Sequence, residues 1–457
     1  MEQRKGRRLV LFPMPLQGHI NPMLQLAQIL HSKGFSITVI HTNFNSPNAS
    51  NYPHFTFHPI PDRLDQSDPA MPSNIGSLLS HLTTMCEGPF EDCLRKLMLD
   101  ETDEPIGCLV SDALFHFTQG VSERLRIPRI VLRTGGACSF HVFAAFPFLK
   151  EKGYLPVQDS KLEDPIMELA PLKVKDLPVI NTSDPEKLYQ LATSMVNSAK
   201  NCAGLIFNTF EDLEQSSLDK LRYEFLIPIF PIGPFHKFCP PSLSSLIAHD
   251  ETCISWLDRQ EPGSVIYVSF GSIAAIEQPE YEEIAWGLRN SGRPFLWVIR
   301  PSSVDGVDGL NPGLEERGCI VKWAPQVEVL SHPSVGAFWT HCGWNSTLES
   351  ISEGVPMICM PCFADQKVNS RFVCDVWQVG VELERSNGLE RGKIQRAIRR
   401  LFDEKEGEEI RDRMLHLKEK ASLCLKQGGS TFQSIGGLAD HILSLESLTF
   451  SARESTV

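Results

Sequence analysis

Residues 323–366 read WAPQVEVLSHPSVGAFWTHCGWNSTLESISEGVPMICMPCFADQ. The stretch holds a complete fold signal. GAFWT, from Gly336, is a short apolar run of the kind that forms a buried strand, and HCGWN is a turn whose Gly343 lets backbone or ligand approach closely. STLESISEG is a helix ended by Gly354, and PMICM, from Pro356, is the next strand. Strand, glycine turn and helix N-terminus in this order predict a parallel α/β unit. They also make an anion site, because the unpaired N–H groups of the first helical turn and the helix dipole favour negative charge. His341, Asn345 and Ser346 can add side-chain donors. Ser346-x-x-Glu349 also reads as a capping box, which would need no ligand.

The same alternation extends in both directions. Upstream of this stretch, SVIYVSF (from Ser264), PFLWVIR (from Pro294) and CIVKW (from Cys319) are strands of the same sheet. Nearer the start, LVLF (from Leu9), SITVIHT (from Ser36), CLVSDAL (from Cys108), RIVLRT (from Arg129) and GLIFNTF (from Gly204) belong to another sheet. Between the two sets lies PIGPFHKFCPPSLSSLIAHD, rich in Pro and Ser and without a period. The expected division is therefore an N-terminal domain at 1–235, a linker at 236–250, a C-terminal domain at 251–435 and a last helix at 436–457 packing back on the N-terminal domain. A chain of 457 residues is long enough for two such cores.

Bulk properties narrow the function. A net charge of −13 argues against a general nucleic-acid binder, since phosphate backbones require clustered Lys and Arg. The basic start MEQRKGRRLVLFPMP runs into prolines without a small-residue cleavage site, and no stretch of eighteen apolar residues occurs, so neither a secretory signal nor a bilayer span is expected. Thirteen cysteines, an odd number, suit reduced thiols and a cytoplasmic location. The lone CxxC at Cys359 lies inside an apolar run and reads as chance, as do the sequons at Asn48, Asn181 and Asn345.

Several sites are missing from the text altogether. There is no G-x-G, no GxxxxGK[ST], no G-x-S-x-G and no HExxH, which disfavours a dinucleotide oxidoreductase, a P-loop enzyme, a nucleophile-elbow hydrolase and a zinc protease. No Asp-x-Asp clamp is present either. No bound metal and no cofactor are expected.

Two titratable residues stand where strands hand over to helices. His19, in PLQGHINP, follows the first apolar run, and Asp112, in CLVSDALFHF, closes another, 93 residues on. Ligands of open α/β sheets bind at such carboxyl ends. Alone, His19 could open a helix and Asp112 could cap one.

With these residues in place, the sequence resembles the plant family 1 UDP-dependent glycosyltransferases. The likeness rests on Trp323, Pro325, Gln326, His341, Cys342, Gly343, Trp344, Asn345, Ser346, Glu349, Gly354, Pro356, Asp365 and Gln366, with GHINP near the start and VSFGS after the linker. SITVIHTNFN and NYPHFTFHPI resemble in particular the subgroup of steviol-glycoside and cytokinin glucosyltransferases.

The resemblance implies a GT-B fold: α/β, with two Rossmann-like domains of parallel sheet facing a central cleft. It implies that Trp323 stacks on uracil, Ala324 and Gln326 contact base and ribose, and Glu349 holds the ribose hydroxyls. Ser272, His341, Gly343, Asn345 and Ser346 would surround the diphosphate, while Trp344, Asp365 and Gln366 face the sugar, Gln366 favouring UDP-glucose. Thr134 would approach the donor sugar, its alternative being a cap for the following helix. His19 would be the catalytic base, oriented by Asp112.

By the same likeness, Met14, Leu16, Met85, Phe90, Cys138, Phe143 and Phe146, with Phe363, would line the acceptor pocket. The implied activity is an inverting, metal-independent transfer of glucose to a small apolar plant metabolite, the partners being a UDP-sugar and that acceptor, and the protein a monomer. The alternatives are a catalytically inactive nucleotide-sugar-binding protein, or a related transferase using another UDP-sugar.

Overall fold

The computed structural model describes residues 8–64, 75–100, 104–179, 184–239, 250–272, 276–300, 317–383, 385 and 388–454. The chain forms two compact units, Met1–Pro156 with Ile180–Leu246 and Cys424–Val457, and Val157–Val179 with Ile247–Leu423.

The first unit is built on β1 (Arg8–Phe12), α1 (Gln17–Ser32), β2 (Ser36–Thr42), β3 (Phe55–Ile60), α2 (Ile75–Leu99), β4 (Ile106–Asp112), α3 (Thr118–Leu125), β5 (Arg129–Arg133), α4 (Ala137–Ala144), α5 (Phe146–Glu151), α6 (Pro185–Lys200), β6 (Gly204–Phe207), α7 (Glu211–Glu224) and β7 (Ile229–Pro231). Its seven strands pair in the order β3-β2-β1-β4-β5-β6-β7, all parallel. Helices cover both faces, so a central strand such as β1, RLVLF, is buried along its whole length and carries a nearly unbroken apolar run. One face, with Leu9, Val110 and Leu132, packs on Leu24 and Leu30 of α1. The other, with Val10, Phe12 and Leu109, packs on Leu82, Phe90 and Leu94 of α2.

The second unit comprises α8 (Thr252–Leu257), β8 (Val265–Ser269), α9 (Gln278–Ser291), β9 (Phe295–Val298), β10 (Gly318–Val321), α10 (Gln326–Ser331), β11 (Val335–Thr340), α11 (Trp344–Glu353), β12 (Met357–Cys359), α12 (Gln366–Arg371), β13 (Gly380–Glu382), α13 (Arg391–Phe402) and α14 (Lys405–Leu425). Its strands are also parallel, in the order β10-β9-β8-β11-β12-β13. The last helix, α15 (Ser430–Glu454), returns to the first unit, where Ile435, Leu438 and Ile442 enter the core beside Ile29 and Ile206.

Both sheets reverse their strand order once, the first between β1 and β4 and the second between β8 and β11. A crevice opens at the carboxyl ends of such a strand pair, where the flanking connections diverge. The unit boundaries differ from those expected. Residues 157–179, expected with the N-terminal domain, pack in the second unit, where the Arg371 guanidinium holds Asp176 at 2.9 and 3.0 Å. The first unit's C-terminal share begins at Cys424. Most of the expected linker, residues 240–249, lies outside the described residues.

Candidate active site

The switch point of the first sheet places His19 and Asp112 together. Phe12 of β1 lies opposite Ser111 of β4, so the chain that leaves β1 for α1 passes beside the end of β4. His19 occupies the first turn of α1, and its Nδ1 lies 2.8 Å from Asp112 Oδ2. The Asp112 side chain is 1% exposed and that of His19 18%. Asp112 Oδ1 accepts the Leu114 N–H at 2.9 Å. The carboxylate thus closes the turn after β4 and holds the imidazole at once; it does not cap the following helix, α3, whose N-cap is Phe117.

A buried carboxylate at Nδ1 favours the tautomer with its proton on that nitrogen, so that in the neutral imidazole the lone pair lies on Nε2. Thr134, at the end of β5, brings its Oγ1 to 3.0 Å from the same Nδ1. The expectation for this threonine was contact with a donor sugar. In the structure its hydroxyl also reaches the His19 imidazole.

The switch point of the second sheet carries the residues of the opening stretch. The His341 ring lies between two glycine turns: a Cβ on Gly271 would come within 2.7 Å of the ring, and one on Gly343 within 2.4 Å. Burial, helped by the Arg300 charge and opposed by the Ser269 carbonyl, pulls the His341 pKa down to about 4. The ring is therefore neutral at pH 7. The helix α11 begins at Trp344 with Gly343 as its N-cap, two residues before the start expected from sequence. This overturns the capping-box reading, since Glu349 then lies in the second turn, out of reach of the first N–H groups.

Its carboxylate meets Gln326 instead. Gln326 Nε2 donates to Glu349 Oε2 at 2.7 Å and to Ser346 Oγ at 2.9 Å, and Gln326 Oε1 accepts from the Tyr267 hydroxyl at 3.2 Å. Burial raises Glu349 to about 7, with the Gln326 hydrogen bond opposing. Ala324 is buried and Trp323 half-buried against the cluster of Val321, Val329 and Leu330. Gln366 opens α12 and folds its Oε1 back onto the N–H groups of Cys362 and Phe363, at 2.9 and 3.1 Å, leaving its amide N–H groups as donors. Asp365 is the N-cap of that helix, and the Trp344 ring lies 6.3 Å from that of Trp377.

Three contributors escaped the sequence reading. Arg300, which closes the run FLWVIR, donates its Nη1 to the Ser272 carbonyl. A charge ending an apolar strand was the available signal. Asn369 donates to the carbonyl of Cys342, whose φ of 63° puts it in the left-handed region, at 3.0 Å; nothing but its spacing of one helical turn from Gln366 announced it. Tyr267 was hidden inside a strand.

The expected acceptor residues divide. Phe90 has no exposed surface and stacks on Phe12 at 4.3 Å, so it is core, set by the spacing of Leu82, Cys86, Phe90 and Leu94 along α2. Met14 and Leu16 join that cluster. Cys138 and Phe146 are buried, whereas Met85, Phe143 and Phe363 keep partial exposure. Phe143 and Phe146 touch at 5.3 Å.

Two parallel doubly wound sheets, each with a polar site at its switch point, define the GT-B architecture. Comparison with known proteins agrees. The family model of UDP-glucoronosyl and UDP-glucosyl transferases matches residues 23–414, and the chain belongs to that family. It is 51% identical over 452 residues to UDP-glycosyltransferase 76B1 of Arabidopsis thaliana, covering 97% of this chain and 100% of the relative. It is 46% identical over 458 residues to UDP-glycosyltransferase 76G1 of Stevia rebaudiana, covering 97% and 98%.

Among solved structures, a UDP-glucose: anthocyanidin 3-O-glucosyltransferase in complex with UDP superimposes with a TM-score of 0.85 at 26% identity, covering 96% of this chain and 100% of that one. Phytolacca americana UGT2, complexed with UDP-2fluoro-glucose and pterostilbene, gives 0.81 at 28%, covering 95% and 99%. The protein is a glycosyltransferase enzyme. Among the described residues no helix is long and apolar enough to cross a membrane.

Proposed function

We propose that the protein is an inverting UDP-glucosyltransferase acting on a small plant metabolite, with His19 as general base and Asp112 as its orienter. The observation that carries this reading is the 2.8 Å contact between His19 Nδ1 and the buried Asp112 carboxylate at a sheet switch point. His19 Nε2 takes the proton of the acceptor hydroxyl as that oxygen attacks the anomeric carbon. The bond from that carbon to the UDP oxygen breaks in the same step, and an α-linked donor yields a β-glucoside. Asp112 stabilises the imidazolium, and Thr134 helps hold the ring.

The uracil stacks on Trp323, and Gln326 and Glu349 exchange their mutual hydrogen bond for ribose hydroxyls. The departing diphosphate is held by the α11 N–H groups, His341 and the Ser272 turn. The Gln366 amide donors serve the glucose hydroxyls. No metal or cofactor takes part, a reading supported by the missing Asp-x-Asp clamp. Thirteen free cysteines among the described residues accord with a reducing, cytoplasmic setting.

The test is UDP release from UDP-glucose with a panel of alcohol, phenol and carboxylic acid acceptors, with and without a chelator. Turnover that survives the chelator is expected. His19→Ala should lower kcat on an alcohol acceptor by about 10²–10⁴-fold, with donor binding kept and a smaller loss on an acceptor that is already ionised. UDP-glucose binding without turnover of any acceptor would favour an inactive sugar-nucleotide binder instead.

A further inference from the structure

We infer that Arg133 forms an anion subsite in the acceptor-binding unit, and that the acceptor carries a carboxylate as well as the reacting group. The inference rests on the glucosyltransferase reading above. Arg133 ends β5 and is only 5% exposed. Its contacts are few. The guanidinium lies over the rings of Phe140 and Phe143, at 5.9 and 5.4 Å, and Nη1 reaches the Met195 sulfur at 3.9 Å. Nε is buried with no acceptor, and among the described residues no carboxylate or carbonyl is bonded to the group.

Arg129 makes the contrast. It lies four residues back on the same face of the same strand, is 3% exposed, and is saturated by Ser111 Oγ, Thr118 Oγ1, Gln119 Oε1 and both oxygens of Ser198. The nearby buried carboxylate, Glu214, is committed to the N–H groups of Ala137 and Cys138 at 3.0 and 2.8 Å. Ring faces and a thioether are weak partners for an ion taken out of water, so among the described residues nothing balances this buried cation. Such a group persists where something else balances it. The flat fork of a guanidinium matches a carboxylate.

Position gives this charge its use. Thr134, the next residue, has its hydroxyl against the ring of the base, so base and cation share one strand end. Phe143, under the guanidinium, is in contact with Phe146, and both were expected to face the acceptor. An acceptor offering its hydroxyl to His19 and a carboxylate to Arg133 would use both sides of β5.

The probes are 4-(hydroxymethyl)benzoate and its methyl ester, which differ by one charge. The acid should stabilise the wild-type protein against heat more than the ester does, and increasingly so at low salt. Stronger stabilisation by the ester would overturn the inference. In Arg133→Met the ratio of kcat/KM for acid over ester should fall tenfold or more, and in Arg133→Lys by less; a ratio constant within twofold overturns it. Arg133→Met should melt at or above the wild-type temperature, and a variant that fails to fold would count for a structural arginine. If the acid binds in the Arg133-dependent way but neither probe is ever glucosylated, the subsite stands and the proposed reaction falls.

Discussion

Glu349 shows what burial does to a single group. Its carboxyl is pushed from the ordinary 4.5 to about 7, chiefly by desolvation. A folded-state pKa above the unfolded one means that stability is fully present below about pH 4.5 and is lost as the pH rises through about 7. Glu349→Gln cannot ionise. Its stability relative to the wild type should therefore grow between pH 5 and pH 8 by on the order of 1–3 kcal/mol in the ligand-free protein, read as the difference in urea midpoints. A difference that stays constant with pH would show that Glu349 ionises freely in the fold. UDP affinity should fall in the same variant, because the amide keeps only one of the two carboxylate acceptors offered to a pair of hydroxyls.

Residues whose chemistry is local, such as Gly343 and His341, were legible in the sequence beside their motif. Thr134 was not. Its pairing with His19 spans 115 positions and depends on β4 and β5 bringing Asp112 opposite Leu132, which no local pattern carries.

Among elements, the two glycine turns around His341 are positioned by strand ends and fixed by the ring between them. Gly343→Ala places a methyl group 2.4 Å from His341 Nε2 and must displace either the ring or the first turn of α11. The expected outcome is a loss of UDP affinity of tenfold or more with the fold kept, measured by calorimetry. Binding at wild-type strength would mean that the turn relaxes freely and that the ring is not part of the site. The interior strands were visible as apolar runs because helices bury both of their faces.

The strands β3, β7 and β13 were not read. FTFHPI is half-exposed and ends next to a proline, while Ile229–Pro231 and Gly380–Glu382 are three residues each. Edge strands need neither length nor a continuous apolar face. The two-residue error at the start of α11 has a different cause. The N-cap there is Gly343, which carries no side-chain signal, while Ser346 three positions later imitates one.

At the scale of the molecule, the two-sheet division was legible because the alternation of strand and helix stops and restarts. The excursion 157–179 and the return of α15 were not, since each is decided by contacts made far along the chain. Removing residues 424–457 takes Ile435, Leu438 and Ile442 out of the first unit's core. At about 1.5–3 kcal/mol for each large apolar side chain, the loss rivals the whole stability of a domain, about 5–15 kcal/mol. The truncated chain should express as aggregate, and soluble protein with a native circular dichroism spectrum would refute this.

The path of the chain has a genetic counterpart. It passes from one unit to the other near residues 157, 180, 247 and 424, so the coding sequence of neither unit is one uninterrupted block. A single recombination event between two related genes therefore cannot exchange a complete unit. A crossover near codon 247 would join a foreign first half to a resident α15, and would leave a foreign Asp176 facing a resident Arg371. Exchange of the stretch from 247 to 423 alone keeps α15 with its own first unit, so hybrids of two relatives should tolerate it only when the Asp176–Arg371 pairing matches between the parents, and the inherited acceptor preference should then follow the parent that supplied the first unit.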